Sequence, residues 1–562
     1  MIVPLFIVIL AACAGPAGSP ATGGPPQGNA NPSTKRMVAI IRGQPFTLSE
    51  AINAAGSGSV PGVAELQELI HAGLAVEADD GSLRPRLAEE LPSVENGRWI
   101  VFPDGRMQTT WTLKPNLRWQ DGTAFTAEDL VFTARVAQDK QVALAGDIAF
   151  RIIDRIEAPD AQSLIVHWAK PYINAERLFS RVAGSRILPM PRHLLEAAYL
   201  DDPTTFTQLS FWTHDFVGLG PFSVREFAES SYLILAANDS YFLGRPKIGE
   251  IEVKFMPDPS TIAANIVAGA ADFTLGGRYS LEWGLQVRDQ WRDGRMEAPV
   301  ATSMVALFPQ FLNPNPAVLS DVRFRQALLH AIDRDEMSDT IQAGLSPVAH
   351  SIVAPNHPEY RDVASSIVQY GHDPRRAAQL IDELGYTRPS DGIYRDGANQ
   401  PLALELRTRQ GDDLQEKTLF GVAGYWQQVG IGIEPVVFPP QRAPDREFRA
   451  TRPAFEVVRQ PGGVDAFPRY HGAETPLPEN GYRGINRTRY RNPGFDALID
   501  RYVATIPKRE RAEVAGEIVN HMTSQAIVLG IYWALDPVLI GNRLVNINPQ
   551  NPTWNAHEWD VK

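Results

Sequence analysis

One cysteine in 562 residues, Cys13, sets the first constraint on this chain. Without a second thiol there is no intramolecular disulfide and no cysteine-based metal cluster, and beyond residue 13 there is no thiol nucleophile. Apolar burial and hydrogen bonding must therefore hold everything that follows it. The chain is long enough for this, since domains run about 100–200 residues and two lobes or more are expected. A hydrophobic share of 44% and a charged share of 21% are ordinary for a globular protein, while 45 prolines and 44 glycines imply many turns and long connections. A formal charge of −12 with no run of Lys and Arg argues against a nucleic-acid partner.

The position of Cys13 adds a second reading. Ile2 to Ala12 is apolar throughout apart from Pro4, too short for the roughly 20 residues of a spanning helix, and it ends in Leu10-Ala11-Ala12-Cys13. This has the shape of a signal peptide, and its last four residues resemble a bacterial lipobox, in which the cysteine receives a diacylglycerol. Residues 1–13 are thus expected to be a lipoprotein signal and 14–36, uncharged up to Thr34 and rich in Gly, Pro, Ala, Ser and Asn, a flexible tether. Met1-Ile2-Val3-Pro4 has no basic residue, which points to a start upstream of Met1.

From Met37 onward short strand patterns alternate with helical ones. Ile251, Val253 and Phe255 interleave with Glu250, Glu252 and Lys254 as in a half-buried strand. Ser260 is expected to cap a helix with Ala263, Ile266 and Val267 on one face, ended by Gly269. Thr126-Ala127-Glu128-Asp129 is a capping box ahead of Leu130, Ala134 and Ala137. Ser320, Asp333 and Asp373 open three further helices, and Phe495, Leu498, Ile499 and Tyr502 form one stripe after Asn492-Pro493. The fold class is α/β, with no internal repeat and no later apolar run long enough to cross a membrane.

Taken in order, these segments resemble family 5 of the bacterial extracellular solute-binding proteins, the group with oligopeptide, dipeptide and nickel binders. The resemblance rests on Trp111-Thr112-Leu113-Lys114-Pro115, Trp119-Gln120-Asp121-Gly122-Thr123 and Thr126 to Leu130, then on Gly218-Leu219-Gly220-Pro221-Phe222. It continues through Asn238, Tyr241, Pro257-Asp258, Arg325-Gln326-Ala327, Ala331 to Arg334, Gly430 to Ile433 and Asn492 to Asp500, and covers about Leu66 to Trp533. It implies a two-lobed clamp of the periplasmic-binding type with an extra subdomain inserted in the first lobe. By that analogy residues 37–60, 206–290 and 490–562 form the first lobe, 61–205 the insertion and 291–489 the second lobe. It also implies a monomer that captures a peptide or similar small solute and passes it to the permease of an ABC importer, without catalysis or cofactor, held at the membrane through its lipid.

In peptide binders of this family an aspartate in a Trp-x-x-Asp-Tyr-like stretch of the second lobe neutralises the ligand's α-amine. The corresponding Val458 to Phe467 has no Trp-Asp pair. Asp465 is the candidate amine partner, with a solvated loop carboxylate as the plain alternative, and Gly463 lies in the same loop. Arg459 suits a ligand carboxylate or phosphate, or else a surface salt bridge. Trp283 and Trp212 are placed either to stack on a ligand or to fill core. Asn53, at the head of Asn53 to Ser59, is placed to line the cleft or to sit in a plain loop.

A secreted hydrolase is the alternative from another class. The chain has no His-Glu-x-x-His, no Gly-x-Ser-x-Gly elbow and no phosphate loop, and its closest histidine pair, His350 and His357, has no recognised metal spacing. No metal site is expected, although chelated nickel or haem as a ligand stays open. An export-side chaperone or a sensor using the same clamp is the third class.

Overall fold

The computed structural model of the chain describes residues 35–562 apart from 56–59, 146, 183–184, 278 and 443–444. The signal and the tether up to Thr34, Cys13 included, lie outside the described residues, and Arg36, expected in the tether, instead opens the first strand because it pairs with Glu250. Two mixed sheets organise the rest. The first has seven strands in the order Gly294–Glu297, Val538–Gly541, Phe273–Thr274, Arg36–Ile41, Glu250–Phe255, Tyr232–Ala237 and Phe222–Ala228. Its central strand Arg36–Ile41 pairs in parallel with Glu250–Phe255 and Phe273–Thr274. Met37, Ala39, Ile40 and Ile41 are all buried there, as a strand covered on both faces requires.

The second sheet has five strands, Gly432–Phe438, Ala403–Arg409, Phe455–Pro461, Val300–Pro309 and Leu529–Leu535. One face buries Val305, Leu307, Val457 and Tyr532 against Phe324, Leu328, Leu380 and Trp426 of the helices that cover it. The other face carries Met304, Ala306, Phe308 and Trp533 into the largest core. A separate antiparallel sheet of Trp99–Val101, Met107–Thr112, Ser163–Trp168 and Ile153–Glu157 buries Trp111 and Trp168 completely or nearly so, at 0% and 1% exposure. The result is a two-lobed clamp of α/β type.

The chain crosses between the two large sheets twice, at residues 298–299 and again at 536–537. Each crossing carries a proline, Pro299 or Pro537, which cannot donate to a ladder and so stops either sheet from running on into the other. The Asp536 N–H donates to the Pro299 carbonyl at 3.1 Å and ties the crossings together. Two strands consequently sit apart from the segments expected for them. Gly294–Glu297 pairs in the seven-stranded sheet, and Leu529–Leu535 in the five-stranded one.

Local signals in the sequence hold with small shifts. Thr126 and Asp129 form the capping box of the helix Ala127–Gln138. Asp333, Asp373 and Asn492 cap their helices as expected. Two caps move by a residue or two, because Asp258 accepts from the Thr261 N–H and Asp321 from the Arg323 N–H, leaving Ser260 inside the first turn and Ser320 before the cap. A carboxylate is the stronger acceptor for orphan amides carrying the positive end of the helix dipole. In the first of these helices the buried face is Ile262 and Ile266, while Val267 is 38% exposed.

The Gly-Leu-Gly-Pro turn has a steric cause. A Cβ on Gly218 would lie 2.0 Å from the Ile70 carbonyl oxygen, and one on Gly220 would lie 2.3 Å from the His71 nitrogen. Backbone is thus packed on backbone, and Gln120 seals the seam. Its Oε1 accepts from the Gly218 N–H at 2.9 Å, while its Nε2 donates to the carbonyls of Ile70, Gly220 and Phe222 at 3.1, 3.2 and 2.6 Å. His71 accepts from the Leu219 N–H at Nδ1 and faces the Pro189 carbonyl through Nε2, and burial lowers its pKa to about 4, so it is neutral at this seam. Gly220→Ala is expected to destabilise the protein by about 1–3 kcal/mol through overpacking. Gly371→Ala, at a position with nothing within 4 Å, should stay within about 0.5 kcal/mol. Chemical denaturation of the two variants side by side checks this.

Candidate functional site

Parallel strands of both large sheets end towards one region. After Ala403–Arg409 comes the helix Asp413–Gln428, and after Phe273–Thr274 the helix Leu281–Gln290, and these meet through Lys417 Nζ and Glu282 Oε2 at 2.8 Å. After Phe455–Pro461 the chain turns through Gly462 and Gly463 into the 3-10 segment Val464–Tyr470, which carries Asp465. Ligands of open α/β sheets bind outside the carboxyl ends of the strands, which makes this region the candidate cleft.

Asp465 is met there by the 3-10 segment Ala175–Arg177. Arg177 Nη1 lies 2.6 Å from Asp465 Oδ2, and Asn174 Nδ2 donates to Oδ1 at 3.2 Å. The two charged side chains are 19% and 22% exposed. Burial works against the Arg177 charge, but Asp465 and Glu176 outweigh it and raise its pKa. Gly463, at φ +92°, makes the approach possible: its N–H donates to the Ile352 carbonyl at 2.5 Å, and a Cβ would come within 3.1 Å of His357 Nε2.

More carboxylates gather around this pair than it can balance. Burial raises the pKa of Glu176, with Arg177 opposing. Burial, then the Asp465 charge, raises Glu359, and burial raises Glu77 against Arg177 and Arg181. His357 is lowered by burial, with Asp465 opposing. Tyr502 and Arg511 complete the surroundings, burial raising the tyrosine. Glu176 Oε2, Glu359 Oε2 and Arg177 Nε are buried without a hydrogen-bond partner among the described residues. Four carboxyls thus face the three guanidiniums of Arg177, Arg181 and Arg511, and two carboxyl oxygens have no donor.

A second acid group adjoins it. Arg181 Nε holds Glu68 Oε1 at 2.8 Å, and Arg186 Nε lies 3.2 Å from Glu50 Oε1. Glu65 sits between them with its pKa raised, first by burial, and further by Glu68 and Glu50 against Arg181. This arrangement can receive a cation, because each added positive charge lets a strained carboxyl ionise with a partner.

The other residues singled out from the sequence lie elsewhere. Arg459 pairs with Asp536 at 2.6 Å, so its guanidinium braces the crossing at 536–537. Trp283 stacks on Tyr279 at 4.2 Å and 16° while its Nε1 donates to the Pro259 carbonyl, placing it beside the Glu282–Lys417 contact. Trp212 is core: it is 4% exposed, edge-on to Phe206 and Phe211, with its N–H bonded to the Phe206 carbonyl. Asn53 is also interior at 3% exposure, and its amide closes the turn at Thr47 through that residue's N–H, hydroxyl and carbonyl. Both polar ends are consumed locally, which leaves them nothing to offer a ligand.

Sequence reasoning missed Glu77, Glu176, Arg177, Glu359 and the Glu65–Glu68–Arg181 group, since all but Glu359 come from the segment read as a remote insertion. One signal was present. Glu65 and Glu68 stand three apart in the helix Val63–Ile70, whose other residues apart from Gln67 are apolar, so a carboxylate there needs a reason.

The profile of the bacterial extracellular solute-binding proteins, family 5 Middle, matches residues 82–490. A Brucella ovis protein provisionally named an ABC transporter peptide-binding protein is 25% identical over 336 residues, 60% of this chain and 58% of its own length. The chain thus spans little more than half of that relative. The oligopeptide-binding protein AppA of Bacillus subtilis is 20% identical over 567 residues, covering 99% of this chain and 96% of the relative. Its structure with a nonapeptide superposes with a TM-score of 0.68 over 94% of this chain and 99% of that one, at 18% identity. NikA of Brucella suis in complex with Fe(III)-EDTA gives 0.74 over 94% and 100%, also at 18% identity. With a family profile matched over most of its length and its two-lobed fold shared with these structures, the chain belongs to family 5 of the bacterial extracellular solute-binding proteins.

Proposed function

We propose that this protein is the substrate-binding component of an ABC import system, taking a peptide or similar small solute between its lobes and delivering it to a membrane permease. The observation that carries the reading is the excess of carboxyls around Asp465, with Glu176 Oε2 and Glu359 Oε2 unpartnered beside it. A ligand amine entering there supplies the missing positive charge and the missing donors. The name of AppA, an oligopeptide binder, supports the peptide class. The two proline-bearing crossings are the natural hinge for closure, with Arg459 on Asp536 steadying one of them. The segments 37–60, 206–290 and 490–562, with 61–205 inserted, remain the proposed first lobe, amended by the two strands that sit in the opposite sheets. Catalysis has no part in this reading, the protein acting as a monomeric carrier.

A cell-envelope location follows from family membership and the Cys13 lipobox, the lipid keeping the clamp near its permease. Among the described residues no helix is long and apolar enough to cross a membrane. Cys13→Ser is expected to move the protein from the detergent phase to the aqueous phase in a phase-separation assay of expressing cells.

A thermal-shift and calorimetric screen of peptides tests the ligand class. A ligand at about 100 times its Kd adds roughly 2.7 kcal/mol of stability. Peptides with a free amine should stabilise the protein and their N-acetylated forms should not. Asp465→Asn should weaken binding at least about tenfold, the loss of one charge-assisted contact of about 1.5–3 kcal/mol. Equal binding of acetylated peptides would overturn the amine assignment.

Binding of a cation should also release protons. Burial raises Glu77, Glu176 and Glu359, so the folded chain holds protons that the unfolded chain gives up in the ordinary glutamate range. The stability this contributes is present below that range and is lost as the pH rises through the raised values. Arg177→Met removes the guanidinium that opposes those charges and should cost roughly 1–3 kcal/mol, since both partners are partly exposed. The loss should be larger at about pH 8 than at about pH 5, because ionisation of these raised carboxyls with rising pH adds the negative charge that Arg177 opposes. Urea titrations at the two pH values measure it.

A further inference from the structure

A cavity of about 30 Å³ has the Glu68–Arg181 pair on one wall and Arg86, Trp554 and His557 on others. Its lining includes Glu68, Arg86, Tyr241, Thr553, Trp554 and His557, and none of its residues comes from the five-stranded sheet or the helices on it. Arg86 is 9% exposed, and no carboxylate among the described residues lies within ion-pair distance of it. Its Nη1 donates to the Tyr241 hydroxyl at 3.3 Å and its Nη2 to the Trp554 carbonyl. Lys114 adds a second positive charge, donating to the Arg86 carbonyl at 2.7 Å and lying 5.6 Å from the centre of the Phe242 ring.

The acid on this wall is already spent. Glu68 Oε1 is held by Arg181 and its Oε2 by the Thr553 hydroxyl. What has no partner is Trp554 Nε1, a donor that cannot accept, together with His557 Nδ1. A buried guanidinium is costly unless a negative charge balances it, and a neutral water would satisfy the indole but not the charge. A cavity of this size holds one or two waters or one ion of similar bulk.

We propose that this cavity binds a small monovalent anion, of halide or formate size, held by Arg86, the Trp554 indole N–H and His557. The anion ties the C-terminal segment to the segment 68–86. Asn551 Nδ2 to the Glu77 carbonyl at 2.7 Å and Asn548 Nδ2 to Asp79 Oδ2 at 3.1 Å are neighbouring stitches of the same seam.

The test uses full-length protein with sodium bromide or sodium formate against gluconate at constant ionic strength, together with crystals soaked in bromide. The melting temperature should rise saturably with bromide or with formate but not with gluconate. An anomalous peak should stand within hydrogen-bonding distance of Arg86 and Trp554 Nε1. Trp554→Phe keeps the ring and removes the donor, so it should fold and raise the half-saturating concentration about tenfold or more. A response to formate alone assigns the site to carboxylates, and one to bromide assigns it to halides. If neither salt differs from gluconate, or if Trp554→Phe responds like the parent protein, the cavity is simply hydrated and the proposal fails.

Discussion

The contact between Arg177 and Asp465 is the one on which the arrangement of the cleft depends. It joins side chains 288 positions apart in sequence, one from the segment around the antiparallel sheet and one from the loop after Phe455–Pro461. Each would be costly to leave half-buried alone, and together they draw Glu77, Glu176 and Glu359 into a shared field. The field is not neutral. The pair answers one carboxylate and leaves the others with raised pKa values and two oxygens without donors.

The frame around that contact is built from places where side chains are forbidden or backbone cannot pair. Gly218 and Gly220 let one segment rest on the backbone of Ile70 and His71, and Gln120 converts the approach into hydrogen bonds. Pro299 and Pro537 interrupt the two ladders where the chain changes sheet, so the sheets remain separate bodies joined by two short crossings. A clamp needs both features, a firm joint within a lobe and a weak ladder between lobes.

Much of the fold was legible because its signals are local. The alternation in Glu250–Phe255, the capping box at Thr126 and Asp129, and the helix starts at Asp333, Asp373 and Asn492 depend on residues a few positions apart. The caps at Asp258 and Asp321 were misplaced by one or two residues because a neighbouring serine offers a similar but weaker acceptor. Asp465 and Gly463 were singled out through resemblance to a family loop, whereas the partner that meets Asp465, Arg177, carries no such mark. Between the alternatives left open for them, Trp212 fills core and Asn53 closes a buried turn, a choice the sequence could not make because an aromatic or an amide near a turn looks the same whether it faces core or cleft.

The sequence by itself determined the absence of intramolecular disulfides, the α/β class and the helix starts, which follow from composition or from short-range pattern, and its resemblance to known proteins, spread along the chain, pointed to the family. Only the tertiary structure decided that Gly294–Glu297 and Leu529–Leu535 exchange sheets, that Arg459 braces a crossing, and that Arg177 and Glu359 stand beside Asp465. Charge interactions act through space and leave no periodicity along the chain. A buried acid cluster drawn from distant segments therefore becomes visible only once the chain has folded.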